Sequence, residues 1–406
     1  MAGANSVQVA VPTRDTETAK FFQIAVWIVL TTILVVIVFE PVLVKAITGP
    51  ETYDYPTHIR WAQFWDENGY LETPLPHFLY QGLLRLSHFF FPAATFNQIA
   101  LGVGLGCYLG LAMILFSQIY GAMKELSPAV RGAATLVLTM LLMVADPLRL
   151  DSSSAVYDHY AGFVPINVYH NPTIVLLKPL ALLLFLQVLH IFDGSSVSKS
   201  RLFLCAFLSV AATMAKPNYS IALIPALGLY VMIRIILRRP VHFGLLIIGV
   251  VVPIMVVIGW QLISVRGTGM GGILFAPFAV MIFMSPDDLI FLKFIGSIAF
   301  PLCVLMLYFR PALRDTMLQV AWLVFAAGAF YTYLLAEVLN PFYGNFIWSG
   351  EITLLLLFVA SLLFVIKHHR SDLVNRRLSP RILLLLGVLI LHTFYGLQFY
   401  QLWMAN

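Results

Sequence analysis

Charge is scarce in this chain, and so is cysteine. Only 11% of its 406 residues are Asp, Glu, Lys or Arg, whereas 60% are hydrophobic. The mean hydropathy is +0.90. An ordinary soluble domain needs a polar surface that this composition does not supply. The three cysteines, Cys107, Cys205 and Cys303, all fall inside apolar runs. No CxxC pair, zinc spacing or disulfide framework exists, so they read as small buried hydrophobes and say nothing about redox compartment. Alternating ten-residue apolar segments are missing as well, which argues against an outer-membrane barrel. Internal repeats, low-complexity tracts and the inverted duplication of many transporters are not visible.

What the chain does have is a series of apolar runs near 20 residues. Each is long enough to cross about 30 Å of hydrocarbon as a helix. Eleven such runs are predicted, at 21–44, 97–119, 131–145, 171–192, 201–215, 219–237, 241–263, 290–309, 317–338, 351–367 and 382–402. The third and fifth are short. The first exceeds the length of a signal h-region and reads as an uncleaved helix. The predicted fold class is all-α: a polytopic transmembrane helical bundle of about eleven spans, with 1–406 as one integral membrane domain and no separate soluble domain.

Charge then orients the bundle. With the N-terminus in the cytoplasm, alternation assigns 16 of the 24 basic residues and 6 of the 19 acidic ones to cytoplasmic segments. The net +5 is therefore a split of +10 inside against −5 outside, which follows the positive-inside rule and is no signature of nucleic acid. The same alternation leaves the C-terminus outside. The cytoplasmic connections are short and basic. The outer ones, at 45–96, 146–170, 264–289 and 339–350, are long, aromatic and acidic, so the outer face is the expected working face.

The loop at 45–96 holds the densest polar segment, ETYDYPTHIRWAQFWDENGYLETPLPHF. About a quarter of the carboxylates lie in it: Glu51, Asp54, Asp66, Glu67 and Glu72, together with His58 and His77. Pro56 suits the first turn of a helix. Asp54 then sits near that helix N-terminus, where negative charge is favoured. His58, Trp61 and Trp65 fall on one face at three-to-four spacing, and aromatic residues suit an interfacial position. LPHFLYQGL reads as the start of a second interfacial helix. Asp54 can be a plain N-terminal aspartate on a solvated loop, or a base or metal-binding group; His77 can be a turn residue.

The second outer loop runs into the fourth span as DSSSAVYDHYAGFVPINVYHNPTIVLLKP. Asp158, Tyr160, His170, Asn171 and Thr173 crowd its entrance. Asn171 and Pro172 form a good helix start, which is a sufficient structural reason for both. Lys178 is harder to account for, since an ionisable group within a span is costly. It either snorkels back over about 10 Å or works in a site. Lys216-Pro217 repeats the Lys-Pro pair at the outer end of the fifth span, and the two lysines together would suit a phosphate. A last polar cluster, EVLNPFYGNFIWSGE, contains Glu337, Asn345 and Glu351; Glu337 can pair with a lysine.

A first helix running outward into a long acidic loop, with Asp54 near its start and two interfacial helices, resembles the GT-C superfamily of membrane glycosyltransferases. The resemblance covers that loop and the layout of the first half of the chain. The loop departs from the family's paired acids, because DYPTH carries one acid and there is no DxD or DE. The resemblance implies an enzyme that moves a sugar from a polyprenyl-phosphate carrier to a glycan, lipid or protein acceptor on the non-cytoplasmic side of a bacterial inner membrane. It makes Asp54 the catalytic acid, with His58 and Asp158 beside it. It makes Lys178, Lys216, His170, Asn171, Tyr160, Glu337 and Asn345 the substrate-binding set. No cofactor follows from it, and a divalent metal stays open. The alternatives are an O-antigen polymerase or ligase, expected to use outer-loop arginines; a lipid-linked saccharide transporter or flippase, expected to hold charge near the midplane; and a non-enzymatic scaffold.

Overall fold

The computed structural model describes residues 14–405 except 51–52, 73–74, 150–161, 195, 267–271, 285–288, 339–341, 343, 371 and 373–378. The chain is an all-α bundle, as the composition predicts. The eleven predicted runs fall on helices α1 (Arg14–Thr48), α4 (Phe96–Ala122), α5 (Pro128–Val144), α6 (Pro172–Val188), α7 (Lys199–Ala215), α8 (Asn218–Ile236), α9 (Val252–Ser264, led by a π-helical turn over Leu245–Val251), α11 (Ile290–Leu307), α13 (Thr316–Leu334), α14 (Ile347–His368) and α15 (Pro380–Ala405). Among the described residues, nine helices are long and apolar enough to cross a membrane; α5 is a shorter apolar helix of 17 residues, and α7 also has 17. Two more helices, α2 (Asp54–Asn68) and α3 (Leu79–Phe90), occupy the first loop where the sequence predicts them. Short helices α10 (Ala279–Met284) and α12 (Phe309–Ala312) and a two-stranded antiparallel ribbon, β1 (Ile273–Phe275) with β2 (Leu335–Glu337), complete the described elements.

Hydrogen bonds join the loops into two faces. Lys45 Nζ, at the end of α1, donates to Met404 O at 3.1 Å. The last helix therefore ends on the face that carries α2 and α3, which we call the loop face. On the opposite face Arg370 pairs with Glu125 at 3.0 Å and Lys367 with Asp315 at 3.3 Å. Arg234 there donates to the carbonyls of Phe192 and Pro240 at 2.7 and 2.9 Å. The segments with the basic excess thus lie together.

Helix α14 is the axis of the bundle. Its most apolar stretch is entirely buried inside the protein, and it packs on α13, α11, α8, α6 and α4. Small residues let α13 come close, as between many membrane helices. A Cβ on Gly328 would stand 2.2 Å from Thr353 Oγ1, and one on Gly350 would stand 2.6 Å from Thr332 Oγ1. The peripheral helices present large apolar side chains outward, among them Phe203, Phe207, Ile236, Val256, Ile263, Phe291 and Met306. A soluble protein would bury such residues; here they suit a lipid environment, and the chain is an integral multi-pass membrane protein.

Candidate functional site

Two local sequence rules set up the centre of the loop face. Proline disfavours a helical conformation in the residue before it. Lys216, followed by Pro217, accordingly leaves the helix at φ −167°, ψ 127° as the C-terminal cap of α7. At the other junction Asn171 is extended and caps α6, its Oδ1 accepting from Ile174 N at 3.1 Å, with Pro172 at the first helical position. The two junctions meet. Lys216 Nζ donates to Thr173 Oγ1 at 3.1 Å, and Thr173 Oγ1 donates to Asn171 Oδ1 at 2.7 Å.

Asp54 completes this line. Helix α2 begins at Asp54, two residues before Pro56, so the acid stands in its first turn without acting as a cap. Asn171 Nδ2 donates to Asp54 Oδ2 at 2.6 Å. A carboxylate, an amide, a hydroxyl and an ammonium are thereby strung together at the mouth of an apolar bundle. The ammonium also lies over the Trp348 ring, 5.2 Å from its centroid. Burial pulls Lys216 down from 10.5 to about 8, and the charges of Asp54, Glu351 and Glu337 oppose that shift.

The histidines of the loop flank the lysine. His58 is buried, and its Nδ1 is hydrogen-bonded to Gln81 Nε2 of α3. Because the amide donates, that nitrogen is the unprotonated one and Nε2 carries the hydrogen. Burial holds His58 well below its usual range, and His77 and Lys216 push the same way. His77 falls from 6.5 to about 3, through burial first and Lys216 second. Its Nδ1 is buried without a hydrogen bond. Both rings are thus neutral bases or donors beside one cation. His58, Trp61 and Trp65 do share a face, the one that packs on α3: Trp61 meets His58 at 5.2 Å, and Trp65 meets Phe78 at 5.5 Å.

The segment around Asn345 supplies the remaining groups. Asn218 Nδ2 donates to Asn345 O at 2.8 Å and to Ser349 Oγ at 3.0 Å. Asn345 Nδ2 donates to Glu337 Oε1 at 2.8 Å. Glu337 ends strand β2 and takes an amide there in place of the lysine pairing considered from sequence. His170 meets Trp348 edge-on at 5.8 Å and stacks on Trp403 at 6.4 Å.

Lys178 departs from both sequence expectations. It does not snorkel, being 2% exposed. Nor is its ammonium open to a phosphate beside Lys216. It donates to Ile166 O at 2.8 Å and pairs with Glu351 Oε1 of α14 at 3.3 Å. The reason is electrostatic: a charge at that depth takes a charge of opposite sign when one is available. Asp66 clamps α2 to α3 through Arg85 at 3.5 Å and His88 at 3.0 Å. Asp158 and Tyr160 lie outside the described residues. No group of three or more His, Cys, Asp or Glu suited to a metal occurs among the described residues.

Sequence reasoning missed Gln81 and the bond from Asn171 to Asp54. The cap explains Asn171 so fully by itself that nothing local signals a further bond. No protein family model, curated protein or solved structure matches the chain.

Proposed function

We propose that this chain is a membrane glycosyltransferase, transferring a sugar from a polyprenyl-phosphate carrier to a hydroxyl acceptor at the loop face, taken as the non-cytoplasmic one. The observation that carries the reading is the Asp54–Asn171–Thr173–Lys216 line. It brings together the two charges that such a transfer needs, and it uses the acid that the GT-C resemblance selects.

In the proposed reaction the acceptor oxygen attacks the anomeric carbon. A bond forms from that oxygen to C1 as the bond from C1 to the phosphate oxygen breaks. Asp54 receives the acceptor proton, its Oδ2 held by Asn171 so that Oδ1 has a set direction. The leaving polyprenyl phosphate gains negative charge, which Lys216 offsets. Neutral His58 and His77 add hydrogen bonding without a competing charge. His170 and Trp348 offer ring faces to the sugar or the prenyl chain, and Glu337 with Asn345 closes the third side.

The test is Asp54→Asn in proteoliposomes with a radiolabelled polyprenyl-phosphate sugar. Loss of a general base costs about 10²–10⁴ in rate, so the variant should insert normally and lose nearly all transfer. Exposed Glu67 supplies the control, Glu67→Gln, expected to retain transfer. Full activity in Asp54→Asn would remove the base assignment. An unchanged rate in Lys216→Met would remove the phosphate role.

A further inference from the structure

Helix α1 carries a carboxylate on its lipid-facing side. Between Phe22 and Thr48 the helix is long and apolar enough to cross the membrane. It buries Val35, Phe39, Val42, Leu43 and Ala46 against its neighbours, each at 0% exposure. Phe39 stacks on Tyr108 of α4 at 4.1 Å. The other side is open. Val29, Ile33, Ile37 and Val44 are 41 to 62% exposed, and three-to-four spacing puts them on one stripe with Glu40, itself exposed. Among the described residues, the membrane-crossing helices hold two carboxylates. Glu351 is enclosed and paired with Lys178. Glu40 faces outward, and among the described residues no ion pair or hydrogen bond holds it.

The helix sets the depth of this charge. Glu40 precedes the last residue of α1, Thr48, by two turns, about 12 Å along the axis. In a helix every Cα–Cβ bond tilts toward the N-terminus. Since α1 runs toward the loop face, Glu40 leans back into the span. Its short side chain is aimed away from the nearer surface, so it does not snorkel as a long lysine would. A second acceptor stands beside it. Pro41 lies inside the helix and has no N–H, so the carbonyl of Ile37 lacks its α-helical donor. A carboxylate and a carbonyl thus share one level of a stripe that faces lipid.

The chemistry of the occupant follows from those acceptors. Lipid tails offer no donor, and a charge at this depth is costly unless it is paired. Lysine and arginine carry only donors, so one such side chain serves both acceptors and neutralises the charge. A second copy of this chain does not supply it. Of the basic residues in the described membrane-crossing helices, Lys45 is spent on Met404 O, and Lys178 and Lys293 are 2% and 3% exposed. Arg234, Lys367 and Arg381 stand at helix ends on the opposite face. Two copies of Glu40 meeting across a twofold axis would repel each other. We propose that the Val29–Val44 stripe of α1 docks a transmembrane helix of a different membrane protein, whose lysine or arginine pairs with Glu40. The inference does not rest on the transfer reaction.

Synthetic helices in phosphatidylcholine vesicles test this. The probes are two fluorescent transmembrane helices of about 20 leucines, identical except that one carries a lysine about 12 Å from its end. Energy transfer to the labelled full-length protein reads association. The lysine helix should associate about 5- to 30-fold more tightly than the leucine helix, the range of polar pairs between membrane helices. In Glu40→Leu the two probes should associate within about twofold of each other. That variant should melt no lower than the parent, because Glu40 has no partner in the fold to lose. For location, Ile37→Cys should crosslink to a cysteine beside the probe's lysine, and Phe207→Cys on α7, also exposed, should not. Equal association of both probes with the parent would overturn the proposal, as would a lysine preference that survives Glu40→Leu. A lower melting temperature in Glu40→Leu would overturn it by giving the carboxylate a role within the fold. Self-association of the parent that Glu40→Leu abolishes would also overturn it, since the occupant would then be a second copy.

Discussion

The ion pair between Lys178 and Glu351 should be worth several kcal/mol to the fold, and its removal has a sign pattern that no surface pair would give. The ammonium is 2% exposed and the carboxylate 0%, at 3.3 Å, between α6 and the buried axis α14. Lys178→Met strands a carboxylate, and Glu351→Leu strands an ammonium. Breaking one side of such a pair costs about 3–5 kcal/mol. The lysine variant should lie at the upper end, because it also forfeits the bond from Nζ to Ile166 O at 2.8 Å, a charged hydrogen bond worth about 1.5–3 kcal/mol. The double variant Lys178→Met/Glu351→Leu strands nothing. Apolar replacement of a whole buried pair ranges from neutral to about 4 kcal/mol stabilising, so the double variant should be at least as stable as the parent. The assay is reversible unfolding by SDS titration in mixed micelles, run as a double-mutant cycle, with a coupling energy of at least about 3 kcal/mol expected. Single substitutions that each cost under about 1 kcal/mol, or a double that merely sums them, would refute the reasoning.

Three further outcomes follow from the loop face. Lys216 loses its proton above about pH 8 in the folded protein; affinity for bare polyprenyl phosphate should then fall up to about tenfold per pH unit, and Lys216→Arg should flatten the profile because a guanidinium stays charged. The same shift makes the fold more stable as pH rises from about 8 to 10.5, where the unfolded chain still holds the proton. His77 acts at the acid end: an unfolded histidine takes up a proton below about 6.5, and the folded one does not until about 3, so stability should fall by about 1.4 kcal/mol per unit as pH drops through that window; His77→Gln should remove about 2 kcal/mol of the loss between pH 6.5 and 5, read from unfolding curves. For orientation, Asn68→Cys should react with an impermeant thiol reagent from outside the cell, and Val374→Cys should not; labelling of the second from outside would invert the topology.

How much of this was legible in sequence depends on the range of the interaction. The helices were readable because apolar length and charge alternation are summed over many residues. The pair α2 and α3 was readable from an aspartate and proline at one helix start and a second amphipathic stretch after His77. Asn171 as a cap was readable because the cap is satisfied three residues on. Its bond to Asp54 was not, because the partner is 117 positions away and no local pattern encodes it. Lys178 shows the same limit. Its cost in a span was plain, yet both remedies weighed for it, the interface and a ligand, were local ones. The remedy used is a glutamate on another helix.

These long-range bonds share a physical origin. In a bundle whose outer surface suits lipid, a polar side chain has few places to go except inward or to a loop face. Every helix that carries one is pulled toward the others that do. The Lys45–Met404 bond fixes the last helix beside the first, and α14, with Glu351 in its opening turns, takes the centre. Asp54, Asn171, Thr173 and Lys216 then satisfy one another with a single line of bonds, and in the proposed transfer the bonds that tie these segments together are the ones that present the acid and the ammonium to the substrate.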